Sequence, residues 1–328
     1  MAVRAALPTD LRRAVAFFDQ ALAHPDSIVG SVLPAPLVAG AVAGWTTLIP
    51  SVIGLRSRVR LYLEEHRDRL RAAALVYSGS RPEWVVLMLA GLPDPEGHDA
   101  AFRLLSFVSM RAAHHGQLRL FGAVPDESRA RETFFQAGFY SYTRETWYFA
   151  PQAALPEPDR AVEGHVARGR DAHDMFRFYV MTTPHSVQRA EQLTVEDFDV
   201  GRRAGAFDPP HLIGGNPLAM KRQATMLVTD NGRPRAFAVS FRGTERHPHV
   251  CKVRIAEGDV DLARQLIRGA TIDLPLGRPV TAPVRSYEDH VARALLAEGF
   301  GEASTSMLFV KELAVRIEEP ALAPAAVR

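Results

Sequence analysis

Residues 119–149, RLFGAVPDESRARETFFQAGFYSYTRETWYF, decide how this chain folds. Leu118 to Val124 reads as a short apolar strand. Asp126 is placed to cap a helix that runs through Ala137. Gly138 stops that helix, because a helix end needs a left-handed residue that glycine supplies without strain. Tyr140 to Phe149 is rich in aromatic and β-branched residues and reads as a closing strand or a hairpin pair.

The same punctuation extends upstream. Trp84 to Ala90 is an unbroken apolar run, as expected for a strand covered on both faces. Asp99 is placed to cap the next helix, whose stripe is Ala101, Leu104, Leu105, Val108 and Ala112, with Gly116 at its stop. Arg58–Glu64 and Ala72–Tyr77 read as strands around a charged turn. Thr9 and Asp10 open a first helix with Leu11, Val15, Phe18 and Leu22 on one face. From Ser27 to Leu55 there is no charged residue. That stretch is long enough to span a bilayer. Four glycines and three prolines interrupt it, so it reads as a lid or paired short helices over an apolar groove.

Downstream, Pro151 to Asp159 holds three prolines and no periodicity, the signature of a linker. The pattern then restarts, with helices from Asp171 and Thr183. A hairpin follows, Ala224–Thr229 and Arg235–Phe241 around Asp230-Asn-Gly232. Val250–Ile255 is a strand, Asp259–Thr271 a helix, Val280–Val284 a strand, Glu288–Ala297 a helix stopped by Gly299, and Met307–Glu312 a closing strand. Leu120–Phe139 lies over Thr281–Phe300 without a gap, with Gly138 on Gly299 and Phe139 on Phe300. The element order is an internal repeat. It divides the chain into 1–150, a linker at 151–160, a second half at 161–317 and an Ala/Pro-rich tail at 318–328.

The charge balance is nearly even, 39 cationic against 37 acidic residues. That leaves little field for nucleic acid. Only Lys221, Lys252 and Lys311 are lysines, and Cys251 is the single cysteine, so no internal disulfide forms. A reducing, cytoplasmic setting fits one cysteine and a start without a basic-then-apolar leader. His247, His249 and Cys251 alternate along a strand and so share a face. Zinc would need a fourth ligand that the sequence does not offer, and no metal is expected.

The quoted stretch, with EWVVLMLAG (83–91) and its following helix, resembles the GNAT superfamily of acyl-CoA-dependent N-acyltransferases. The resemblance covers roughly 1–150 and, more weakly, 161–317. It implies an α/β (α+β) fold of two tandem GNAT-like domains, each a mixed, V-split sheet flanked by helices. It also implies acetyl-CoA or another acyl-CoA as co-substrate and a small-molecule or peptide amine as acceptor. Carried onto this chain, the donor would lie along Leu89, Ala90, Gly91 and Leu92 and the helix start His98, Asp99, Ala100 and Ala101. Glu83 would act as base; Tyr140, Tyr142 or Tyr287 could stand in for the family's acid, and Tyr140 is the one to test.

Two departures stand out. The family's phosphate loop is Gly-rich, whereas the corresponding stretches here are GLPDPEGHD (91–99) and AEGDVD (256–261). Carboxylates at a helix start satisfy its N–H groups and repel a diphosphate. The position four residues before the Gly-Phe glycine, where many members carry a tyrosine acid, is Phe134 in one half and Leu295 in the other. The expected function is acyl-CoA-dependent N-acylation of an amine, with a non-catalytic ligand- or partner-binding protein as the alternative.

Overall fold

The computed structural model describes residues 2–32, 58–79, 81–151, 164–200, 220–243, 247–256 and 258–314. The linker, the C-terminal tail and most of the uncharged segment lie outside the described residues.

In the first half, β1 (Ala2–Ala5) leads through a 3-10 turn to α1 (Leu11–Ala23) and β2 (Ile28–Ser31). Then come β3 (Val59–His66), β4 (Arg69–Ser78), β5 (Glu83–Gly91), α2 (Pro95–His114), β6 (Arg119–Pro125), α3 (Ala130–Gln136) and β7 (Tyr140–Ala150). The second half holds β8 (Gly164–Val166), α4 (Ala172–Thr182), α5 (His185–Glu191), β9 (Lys221–Asp230), β10 (Arg233–Arg242) and β11 (His249–Ile255). It closes with α6 (Val260–Thr271), β12 (Val280–Arg285), α7 (Asp289–Ala297) and β13 (Gly301–Glu312).

The local signals act as chemistry dictates, with some shifts of place. The Asp-Asn-Gly turn joins β9 to β10 with Asn231 at φ 50° and Gly232 at φ 73°, the two left-handed residues of a hairpin turn. Gly138 and Gly299 sit at φ 81° and 83° after α3 and α7. In each, the following phenylalanine N–H reaches back to a carbonyl five residues earlier, Phe139 to Phe134 at 3.1 Å and Phe300 to Leu295 at 3.0 Å. The helix α2 starts earlier than its stripe suggested. Its cap is Asp94, which accepts from Gly97 N at 2.6 Å, and Asp99 lies inside the helix. Thr9 caps nothing; Asp10 instead accepts from Leu7 N and pairs with Arg4.

Twelve strands run in the order β1-β3-β4-β5-β6-β13-β7-β12-β11-β10-β9-β8, and β2 adds to β5. The sheet is mixed: β5 with β6 and β11 with β12 are parallel, and the other pairs are antiparallel. Its centre carries the feature that the repeat alone did not show. The closing strands are exchanged: β13 lies between β6 and β7, and β7 lies between β13 and β12.

Among the described residues three apolar cores form. One face of the sheet has a core shared by both halves, under α1 and α4, including Phe18, Phe121, Trp147, Phe178 and Val239. On the opposite face, α2 and α3 cover one core around Trp84, Leu104 and Phe134. There α6 and α7 cover the other, around Leu266, Ile267 and Leu295.

Candidate functional site

Each half contains one parallel pair that touches only at its start. In the first half β5 and β6 pair over Glu83–Val85 with Arg119–Phe121 and then part. In the second, β11 and β12 pair over His249–Val250 with Val280–Thr281 and then part. A splayed parallel pair exposes backbone N–H and C=O groups that need partners.

The two splays are treated differently. In the first, β2 lies antiparallel along β5, with Ile28 opposite Gly91, Val29 opposite Ala90, Gly30 opposite Leu89 and Ser31 opposite Met88. Val32 N continues the ladder to Leu87 O at 3.2 Å. Ser128 Oγ, from the β6–α3 turn, donates to Val29 O at 2.6 Å and ties the wedge to the far wall. In the second, Ala256 N donates to Arg235 O of β10 at 2.8 Å. An antiparallel ladder bonds alternate residues, so Val253 and Ile255 turn their N–H and C=O toward the splay. No strand among the described residues lies beside them there.

Beside this second splay, on the face roofed by α4 and α5, a cluster of charged groups is sealed from water. Arg285 pairs with Glu145 at 2.8 Å and Glu191 at 3.4 Å. Arg254 pairs with Glu288 at 2.8 Å and donates to Thr183 Oγ1 at 2.9 Å and Tyr287 Oη at 2.7 Å. Tyr179 donates to Glu191 at 2.9 Å. Lys252, 8% exposed, stands among them. Burial pushes its amine down to about 7, and the neighbouring Arg254 and Arg285 push the same way against Glu288 and Glu145. Burial likewise raises the carboxyl of Glu145.

Solved structures share this fold. A GCN5-related N-acetyltransferase from Sphaerobacter thermophilus superposes with TM-score 0.52 at 15% identity, covering 97% of each chain. The protein has the GNAT fold. Two others align with lower scores. One is a tandem GNAT protein from the clavulanic acid biosynthesis pathway, at 0.49 and 11% identity over 96% of this chain and 99% of that one. The other is a GNAT-family acetyltransferase from Colwellia psychrerythraea, at 0.42 and 12% over 95% and 100%. No family model and no curated protein matches the chain. No described helix is long and apolar enough to cross a membrane.

Within the GNAT fold, the residues singled out from sequence fall as follows. Leu89, Ala90 and Gly91 pair with β2, so the strand edge expected to take the donor is occupied by the chain itself. Leu92 backs onto Gly97, where a Cβ would collide with its backbone. His98 N is bonded to Asp94 O at 3.1 Å, and Ala100 and Ala101 are fully buried in the α2 core. The Asp94 and Glu96 carboxylates at this helix start pair with Arg71. The first half therefore does not fit an acyl-CoA.

Glu83 is fully enclosed, ion-paired to Arg119 and to Arg81 at 3.0 Å, and burial raises its carboxyl to about 7 against the pull of both cations. Arg81 and Arg119 also bond backbone carbonyls of α5 and its C-terminal end, so Glu83 anchors the contact between halves. Tyr140 is 40% exposed and donates to Glu312 at 3.3 Å. Burial and Glu312 raise its phenol. No direct contact joins Glu83 and Tyr140. His249 uses both ring nitrogens on backbone: Nδ1 accepts from Gly243 N at 2.9 Å and Nε2 lies 3.0 Å from Pro275 O. Cys251 is buried, its thiol pushed up to about 12. The described residues hold no group of three or more metal-ligating side chains.

The reading of the sequence passed over Lys252, Arg254, Arg285 and Glu145. The available signal was Lys252 and Arg254 inside the apolar strand Val250–Ile255, where charge has no place unless paired.

Lys252 and Glu83 make opposite demands on stability near neutrality. The lysine falls from an ordinary 10.5 to about 7, so between those values the unfolded chain holds a proton that the folded chain lacks. Stability then rises with pH across that window and is lost as pH falls through about 7. Glu83 rises from 4.5 to about 7, so its contribution is full below 4.5 and lost as pH rises through about 7. Lys252→Met is expected to gain over the native chain at pH 6, and the gain should shrink steadily toward pH 10 in urea unfolding. A gain independent of pH would mean the amine is solvated.

Proposed function

We propose that this protein is an acyl-CoA-dependent N-acyltransferase, an N-acetyltransferase in its simplest form, that takes its donor in the second half and acts on an amine. One observation carries this reading: past Cys251, no described strand pairs with the β12-facing side of β11, which lies beside a sealed amine and acid cluster. When bound, the thioester would supply the activated acyl group. Val253 and Ile255 would hold an extended arm as an added strand. Lys252, poised at about 7, is suited to take the proton from an incoming ammonium, since a base works best near the ambient pH. Arg254 and Arg285 disfavour the charged lysine and so keep it available. Glu83 serves in this reading as an anchor between halves and not as the base.

The non-catalytic alternative draws on the acid-capped helix starts. Asp259 accepts from Leu262 N at 2.9 Å at the start of α6, as Asp94 does at α2. Calorimetric titration with acetyl-CoA, with CoA as control, separates the two. Binding at micromolar strength, about −8 kcal/mol, supports the transferase. No heat up to millimolar donor would sink it in favour of the binding protein.

A further inference from the structure

The two halves repeat in element order, and each has a parallel pair that parts after its first residues, Trp84 with Leu120 in one and Val250 with Thr281 in the other. Leu89 of β5 and Val253 of β11 both lie past the parallel contact of their pair, on the face covered by the outer helices of their half. Val253 and Ile255 turn their backbone to the second splay as Leu89 and Gly91 turn theirs to β2 in the first.

The wedge is shaped for its slot. A Cβ on Gly30 would lie 3.0 Å from Phe134 Cε2 and 3.3 Å from Ala123 O, so any side chain there would press on Phe134. Phe134 in turn is packed between Phe139 and Phe309 and covers Gly122, so it has no room to retreat. Ile28 is fully buried, and Ser31 and Val32 are 4% and 3% exposed.

We propose that β2 is a built-in occupant of the first splay, so that the first half takes no acyl donor and the chain takes a single one, in the second half. The first part stands on the backbone pairing alone; the second rests on the transferase reading above. The replacement is a hydrogen-bonded strand for a hydrogen-bonded arm. It completes the core with the chain's own residues, and displacing it would leave one side of β5 unpaired over Leu87–Gly91 and open a space around Phe134. The first half then serves to brace the second, through α5 and the exchanged strands.

The test is a reversible staple. Val29 and Ala90 face each other as a pair that exchanges no backbone bonds, where strands approach closely and a disulfide fits. In Val29→Cys/Ala90→Cys, with Cys251 buried and inert, acetyl-CoA is titrated before and after reduction. The expected result is one donor per chain with an affinity unchanged within about twofold. Hydrogen exchange of the native chain with acetyl-CoA should add protection over 251–263 and none over 87–101. A staple that weakens binding tenfold or more, or donor protection over 87–101 with loss over 28–32, overturns the proposal. If no donor binds at all, the transferase reading fails, while the wedge is judged on the unliganded chain. Gly30 and Val32 amides exchanging as slowly as the core of β4 support it, and exchange as fast as an open loop overturns it.

Discussion

A chain ended after residue 151 is expected to lose its cooperative fold, although the repeat suggests a self-sufficient first half. The reason is the exchange of closing strands. On its outer side β6 is paired with β13, from Arg119 opposite Glu312 to Pro125 opposite Ser306. The strand β7 is held on one side by β13 and on the other by β12. Leu308, Phe309 and Val310, each at most 1% exposed, fill the first half's two cores from the far end of the chain. Truncation leaves the β6 edge open and removes those side chains together. Losing those three buried side chains costs about 1.5–3 kcal/mol each, before the lost strand pairing, against a whole-domain stability of about 5–15 kcal/mol. Circular dichroism with urea should show no sharp transition for residues 1–151. Co-expression with residues 152–328 should restore one. A fragment that unfolds sharply as a monomer would mean that β7 can fall back onto β6 and that the exchange is dispensable.

Arg285→Leu is expected to cost about 3–5 kcal/mol, the usual effect of removing one partner from a buried ion pair. Arg285 is 3% exposed and answers both Glu145 and Glu191, themselves 3% and 4% exposed. Without it, two carboxylates remain in a space that already disfavours ionisation, as the raised carboxyl of Glu145 shows. Adding Glu145→Leu should recover a substantial part, because a buried pair replaced by apolar groups of similar size is often neutral. Urea midpoints for the single and double variants measure both. A loss below about 1 kcal/mol for Arg285→Leu would place water in the cluster and give it surface-like energetics.

Much of the fold was legible because its signals are local. The helix stops at Gly138 and Gly299 need only a residue tolerant of positive φ. The Asp-Asn-Gly hairpin needs two of them in sequence. The apolar stripes of α1 and α2 need only periodicity. The strand β2 was not legible. Four uncharged residues with a glycine in the middle carry no periodicity, and the reason they form a strand lies in the unpaired edge of β5, about 60 residues away in sequence. Glu83 was picked out as a base from its place before a strand, but its partners Arg81 and Arg119 are set by packing against α5.

The sequence by itself determined two copies of one element order and the caps and turns that start and stop them. It also set the charged residues inside β11, since these depend on neighbours within a few positions. Only the tertiary structure decided that β2 closes the first splay and that β7 and β13 cross between the halves. Those outcomes turn on pairing backbone groups that no local interaction can satisfy, and the repeat presents the same unpaired groups twice. Shape favours closure of the first splay, where Gly30 fits under Phe134.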